Sequence, residues 1–346
     1  MSQMLRHDRV TVRWCGDVET SSTDARWLVE VARDGVMGEF ETRLLVPNAR
    51  RVGVIVKDWR GAEFEPLADA LRLLVDHLFE RASPHRLDLD ACSTEVHVIS
   101  AALRCGFAEE GRRRHVRIVD GRWQDRVSLG LLASAWSGGC HVTEVHVAPS
   151  KGEPLVADLP VIPRPSAADF SLLRGRRMTL RRRRPSDQDL FYRWQCRPEW
   201  WQLWMPEHPD GFSSPSRHKF DAAWQGSPRT GEWVVETEHG TPLGVCFYCS
   251  MDRQNRSAEA DILLYEAEFW GQGYGTEALG VMLRHLFHDL KLHRVSSGTW
   301  SGNIGSLRVQ QKNRLQIEVR SPESYLVEGK WYDGLGTGIL ETDEGA

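Results

Sequence analysis

No stretch of this 346-residue chain approaches the ~20 consecutive apolar residues of a membrane-spanning helix. The opening segment Met1-Ser-Gln-Met-Leu-Arg-His-Asp8 also lacks the apolar core of a secretory leader. Both absences lead us to expect a cytoplasmic protein with no membrane partner. Lysine is scarce, 6 residues against 38 arginines, a bias that reflects codon usage more than function. The net charge of −4 gives no strong electrostatic pull toward nucleic acid, and no nucleic-acid partner is expected. Seven cysteines, at 15, 92, 105, 140, 196, 246 and 249, form no ladder of spacings, so no disulfide framework is implied. Cys246-Phe-Tyr-Cys249 stands alone inside an apolar run that reads as a strand, where residues three apart face opposite ways; with no second Cys or His pair, no metal is expected. The arginine run Arg181–Arg184 sits where a strand ends and a helix begins at Pro185-Ser186, and reads as a solvated turn in preference to a phosphate track.

What is present centres on Glu268-Phe-Trp-Gly-Gln-Gly-Tyr-Gly-Thr-Glu-Ala278. Gly271, Gly273 and Gly275 let backbone N–H groups converge on an anion without interference from a Cβ, and Thr276-Glu-Ala opens an amphipathic helix whose positive end faces the same point. No Gly-Lys-Ser/Thr follows, and the spacing G-x-G-x-G is not the dinucleotide fingerprint, so neither a P-loop nor a Rossmann turn is indicated. A bland tight turn before a helix is the alternative. Ala260–Tyr265 upstream is a short apolar run of strand length; Ala278, Leu279, Met282, Leu283, Leu286, Phe287 and Leu290 recur at helical spacing; Leu292–Trp300 reads as a further strand.

The glycine loop, followed by Leu286-Phe287, His293-Arg294-Val295 and Asn303-x-x-Ser306-Leu-Arg308, resembles the GNAT superfamily of acyl-CoA-dependent N-acyltransferases, most of all its RimJ/RimL-like branch. Trp270 stands where most members carry Gln or Arg, a substitution familiar in that branch. The resemblance implies an acetyl-CoA co-substrate, a pyrophosphate held by Gly271, Gln272, Gly273, Tyr274, Gly275 and Thr276, a CoA contact from Asn303, and pantetheine pairing with backbone groups of the strand Ile262–Tyr265, Leu263, Leu264 and Tyr265 among them. Glu259, in Ala258-Glu-Ala-Asp261, matches the Glu of the family strand and is either the base that takes the ammonium proton or a solvated edge residue. Asp261 is the reserve for orienting a cationic acceptor. Gln310 occupies the position of a frequent catalytic Tyr and does not donate as a phenol does, which leaves Ser306 to orient CoA or a water, or the thiolate to leave unaided. Trp200, Trp201, Trp204 and Glu207 fall where the acceptor-side helices belong, as an aromatic, acidic amine pocket or as core of those helices. The family turn Lys-Leu-Gly-Phe is altered to Lys312-Asn-Arg-Leu315.

The chain also repeats itself. Sliding residues 70–132 forward by 208 gives 16 identities in 63 positions, among them His77-Leu-Phe79 on His285-Leu-Phe287 and Trp123 on Trp331. Trp27 matches Trp233 at a shift of 206. We therefore expect an α+β (mixed α/β) chain of two tandem GNAT-like domains, each a mixed, mostly antiparallel sheet flanked by helices: residues 1–140 a degenerate copy, 141–169 a connector that lends a strand to one sheet, and 170–346 the acyltransferase. In the first copy the loop Trp59–Ala68 keeps only Gly61 and gains Glu63 and Glu65, Glu95 replaces the family Asn, and Ala102 stands at the Tyr position. Either that copy is free of CoA or it binds through an altered loop. The expected activity is direct acetyl transfer to a primary amine, a small molecule or a protein N-terminus, by a monomer acting as a pseudo-dimer or by a homodimer. The alternative is a non-catalytic acyl-CoA-binding or interaction module.

Overall fold

The computed structural model describes residues 4–7, 10–15, 25–31, 35–46, 49–60, 65–136, 153–154, 170–197, 214–224 and 231–344. The chain divides into two compact units, Met1–Pro154 with Val319–Asp333, and Leu155–Glu318 with Gly334–Ala346.

In the first unit β1 (Met4–His7), β2 (Val10–Trp14), β3 (Ala25–Val31), β4 (Gly35–Val46) and β5 (Arg51–Lys57) form an antiparallel meander. The crossover helix α1 (Glu65–Arg81) leads to β6 (Arg86–Cys92), which pairs parallel to β5; α2 (Val96–Arg104) then precedes the hairpin β7 (Ala108–Val119) and β8 (Arg122–Leu132), with β8 antiparallel to β6. Leu67, Leu71, Leu74 and Leu78 recur at helical spacing on α1 and are buried with Val52, Val54, Leu87 and Leu89 of the sheet, which places the core between helix and strands. The expected strand from the connector is β9 (Glu153–Pro154), paired to Arg122 and Trp123; residues 141–152 and 155–169 lie outside the described residues.

The second unit follows the same order. Strands β10 (Leu172–Arg174), β11 (Met178–Arg181), β12 (Glu232–Thr237), β13 (Pro242–Asp252) and β14 (Ser257–Leu264) are antiparallel neighbours. Helices α3 (Gln188–Gln195) and α4 (Arg217–Trp224) lie between β11 and β12, and the crossover helix α5 (Tyr274–Arg284) leads to β15 (Arg294–Trp300), parallel to β14. Then come α6 (Ile304–Lys312), β16 (Gln316–Val327), of which Val319 onward belongs to the first unit, β17 (Lys330–Leu340), which belongs to the second unit again from Gly334 and pairs there with β15, and the short α7 (Glu341–Glu344). In the first unit residues 15–24 alone join β2 to β3.

Several local geometries recur at the spacing of the sequence repeat. The turns Asp120-Gly121 and Glu328-Gly329 both hold two successive positive φ angles, 49° and 67° in one, 50° and 76° in the other; this is the backbone a two-residue hairpin turn demands. His115 donates its backbone N–H to Asp125 Oδ1 at 3.0 Å, and Glu323 donates its own to Asp333 Oδ1 at 3.3 Å. Trp27 meets His77 edge-on with ring centroids 5.2 Å apart, and Trp233 meets His285 in the same way at 5.3 Å.

Two expectations need correction. Ser186, which the sequence offers as the cap of the helix after β11, does not cap it: Asp187 stands at the N-cap of α3 without a side-chain cap bond, and its Oδ2 reaches back to accept the Arg184 N–H at 2.7 Å. The arginine run is not solvated either. Arg181 is 4% exposed and donates to both oxygens of Asp187 and to Glu236 Oε1, Arg182 lies 3.8 Å over the Trp233 ring and Arg183 4.1 Å over Trp224, while only Arg184 is exposed. Acidic and aromatic partners distant in sequence draw three guanidinium groups inward. Replacing Arg181 by Met strands two carboxylates, and denaturant titration should register a loss of about 3–5 kcal/mol.

Arg314 sits where the family turn has glycine and holds φ +64°, whereas Gly106 takes φ +90° at the matching place in the first unit. A left-handed conformation costs a residue with a Cβ roughly 1–2 kcal/mol. Arg314→Gly should therefore raise stability by about 1 kcal/mol, seen as a higher denaturation midpoint; no gain would show that the arginine side chain repays the strain.

Candidate active site

The site begins where β14 and β15 part. They pair from Ser257–Arg294 to Glu259–Ser296, and there the ladder ends, although β14 continues to Leu264 and β15 to Trp300. Past Glu259 one edge of β14 is open. Peptide groups alternate along a strand, and two observed bonds fix the sense: Ser296 Oγ donates to the Ala258 carbonyl on the β15 side, and the Tyr265 N–H donates to Leu243 on the β13 side. The groups turned to the open edge are thus those of Ala260, Ile262 and Leu264. Of the backbone positions expected to meet pantetheine, Leu264 is at that edge; Leu263 and Tyr265 face β13. Trp270 donates its indole N–H to the Leu264 carbonyl at 2.9 Å, which ties the glycine loop to the end of the strand.

The loop then turns on two glycines that need their freedom: Gly271 holds φ +74°, and Gly273, the N-cap of α5, holds φ +91°. No side chain caps α5. Its first backbone bond runs from Glu277 N to Gly273 O, so the N–H groups of Tyr274, Gly275 and Thr276 open outward at the positive end of the helix. Gly275 serves packing as well, since a Cβ there would stand 3.3 Å from Val309 Cγ2 on α6 and 3.5 Å from Leu264 Cδ1. Gln272 is exposed and donates to the Glu268 carbonyl at 2.6 Å.

Arg177, at the foot of β11, was not read from the sequence. Its Nη2 donates to the Gln272 carbonyl at 3.2 Å, its Nε to Glu277 Oε2 at 3.2 Å, and its guanidinium lies 4.9 Å over the Tyr274 ring. The sequence separation from the loop hides this cation at the mouth of the cradle.

On the side of the sheet opposite α5, β14 presents Glu259 and Asp261. Glu259 is exposed and accepts from Ser250 Oγ at 3.3 Å. Asp261 is the carboxyl that burial lifts, to about 7; the Ser297 hydroxyl, donating at 2.6 Å, pulls it back, and the Glu259 charge pushes it further up. The carboxyl whose pKa is raised is thus Asp261, two residues along from the candidate base Glu259, where Ser297 of β15 covers the strand.

The same side carries an aromatic cluster. Trp194 stacks on Tyr265 with centroids 4.6 Å apart and donates to Glu266 Oε1 at 2.7 Å, and Phe191, Phe220 and Trp224 pack beside them. Trp200, Trp201, Trp204 and Glu207 lie between α3 and α4, outside the described residues.

Across the opening, α6 begins at Asn303, whose Oδ1 accepts the Ser306 N–H at 3.1 Å. Asn313, within the altered turn, donates to the Thr276 carbonyl at 3.0 Å and so fastens the end of α6 to α5. In the first unit Glu95 takes the place of Asn303 and accepts the Cys92 N–H instead, and Gly61 and Glu63 lie outside the described residues. Cys246 is buried and Cys249 exposed, on opposite faces of β13, and burial raises both thiols.

Residues 177–316 match the family model of the acetyltransferase (GNAT) domain. A protein of Bacillus subtilis described as the probable N-acetyltransferase YjcK is 35% identical over 74 residues, which are 21% of this chain and 41% of that protein. The match thus spans less than half the length of that relative. Similar solved structures include an acetyltransferase (GNAT family) from Bacillus anthracis, 17% identical over 49% of this chain and 99% of that one with a TM-score of 0.43. A spermidine N-acetyltransferase from Vibrio cholerae in complex with CoA and spermine is 19% identical over 49% and 99%, with a TM-score of 0.42. By its family-model match and its mixed, mostly antiparallel sheet with flanking helices, the chain carries a GNAT acetyltransferase domain over residues 177–316.

Proposed function

We propose that the second unit is an acetyl-CoA-dependent N-acetyltransferase of RimJ/RimL type that acetylates a primary amine by direct attack. The observation that carries this reading is the pairing of an uncapped α5 N-terminus with the opened β14 edge: one suits a pyrophosphate, the other an extended chain of amides. Gly271, Gln272, Gly273, Tyr274, Gly275 and Thr276 would hold the phosphates, the backbone of Ile262 and Leu264 the pantetheine arm, and Asn303 and Ser306 the region of the thioester.

Asp261 takes the role of base. A carboxyl lifted to about 7 is a stronger base toward an ammonium than an ordinary carboxyl, which titrates near ~4. Glu259, on the same side and exposed, is suited to pairing with a cationic acceptor, and the Trp194–Tyr265 stack walls the acceptor side. An amine acceptor, as spermidine is for the Vibrio cholerae enzyme, fits two carboxylates with aromatic neighbours. A small amine and a protein N-terminus share that chemistry.

The repeated turns, main-chain bonds and Trp–His pairs support reading residues 1–140 as a degenerate copy of 170–346 across the connector 141–169. We take the first copy to be free of CoA and the protein to work in the cytoplasm, as a pseudo-dimer within one chain or as a homodimer. The reading is tested by supplying the full chain with acetyl-CoA and a panel of primary amines and following free thiol. Amine-dependent release is expected; CoA binding without release would favour a non-catalytic acyl-CoA-binding module.

A further inference from the structure

Gln310 stands where a phenol is expected, yet it does not reach toward the site. It is 2% exposed, and a buried amide of this kind needs partners for both ends. It has them: the Thr337 hydroxyl of β17, which has the Ser297 carbonyl as a second acceptor at 3.2 Å, makes its shorter bond to Gln310 Oε1 at 2.8 Å, and Gln310 Nε2 donates to Ser306 Oγ at 3.0 Å. Thr337 is itself buried and lies in register with Ser297, the residue that bonds Asp261. With its oxygen occupied by Thr337, the amide presents its N–H to Ser306, so the serine oxygen accepts from within the protein and its own hydrogen is left to point elsewhere. Among the described residues no protein acceptor is paired with that hydrogen. Ser306 lies in the first turn of α6, one turn before Val309, which packs beside Gly275 of the cradle.

We propose that Gln310 is a positioning residue that aims the Ser306 hydroxyl hydrogen at the sulfur of CoA. This rests on the acyl-CoA reading of the second unit. When the amine nitrogen forms its bond to the acyl carbon and the C–S bond breaks, the electron pair of that bond goes to sulfur. Ser306 donates a hydrogen bond to the resulting thiolate without surrendering its proton. Asp261 takes the ammonium proton before attack, the second proton that the nitrogen sheds as the amide forms goes to water, and the thiolate takes one from solvent after release. The polar residue at the Tyr position thus acts one step removed, through serine.

The test does not depend on turnover. The full chain is saturated with CoA, and the thiolate absorbance of the bound cofactor is titrated with pH. A hydrogen bond to a charged group is worth about 1.5–3 kcal/mol, which corresponds to a thiol pKa lowered by about 1–2 units from the ~8.5 of a free thiol. Ser306→Ala and Gln310→Met should each return the thiol to its free value, and the double variant should shift it no further, because one residue acts through the other. A purely structural role for Gln310 would lower the melting temperature while leaving the thiol pKa of folded Gln310→Met as in the wild type, and that result overturns the inference. So does an unshifted thiol in the wild type, as when the Ser306 hydrogen is given inward to the amide. Failure of the wild type to bind CoA would instead defeat the acyl-CoA reading beneath it, and the inference with it.

Discussion

Asp261→Asn is expected to lower kcat for acetyl transfer by about 10²–10⁴-fold, the range supplied by a positioned base, and to flatten the pH profile near neutrality. The cause is specific to the site. Burial holds this carboxyl at about 7, so the ionised form that accepts a proton gains population as pH rises through that value, and the wild-type rate should climb with it. Asparagine keeps the shape and can still accept from Ser297, but it takes no proton. The same shift has a consequence for stability with a definite sign. Because the folded pKa is raised above the unfolded value of about 3.8, the folded state binds more protons than the unfolded one between the two, and stability falls as pH rises from about 4 to about 7. The variant should lose that fall and be relatively more stable at pH 8 than at pH 4. Glu259→Gln should instead raise KM for a cationic acceptor while leaving the pH dependence in place. If Glu259→Gln flattens the profile and Asp261→Asn does not, the base has been assigned to the wrong carboxyl.

Gly273→Asp should weaken CoA binding by about 100-fold or more. Two effects act together. Gly273 holds φ +91°, where a residue with a Cβ is strained by roughly 1–2 kcal/mol, and the new Cβ would stand 3.1 Å from Arg177 Nη2. The carboxylate would also place negative charge at the N-terminus of α5, where it competes with phosphate for the same N–H groups. Gly273→Ala carries the strain without the charge and should show the smaller loss. A CoA affinity unchanged in both variants would remove the loop from the site.

The parts of this site that were legible in the sequence are those governed by local rules. Gly271, Gly273 and Gly275 mark a glycine turn before a helix, and the β14–α5–β15 order follows from apolar periodicity. Within the 63-residue self-match, His115 and Glu323 stand 208 residues apart and donate alike, to Asp125 and Asp333. Other features depend on which strand lies beside which. The sequence offers no way to tell that Leu264 faces the open edge while Leu263 and Tyr265 face β13, because a shift of one residue reverses every peptide group. Asp261 differs from Glu259 in its burial, and in accepting a bond from Ser297, 36 residues away. Arg177 reaches the cradle from 95 residues upstream, and the arginine run finds carboxylates and indoles that nothing nearby in the chain announces.

The central claim is that one chain holds one acyl-CoA site, built on Gly271–Thr276. Calorimetric titration of the full chain with CoA tests it directly, and the full chain is required because Val319–Asp333 belongs to the first unit. One CoA per chain, with binding lost in Gly273→Asp, is the predicted result; two CoA per chain, or undiminished binding to the variant, would contradict it.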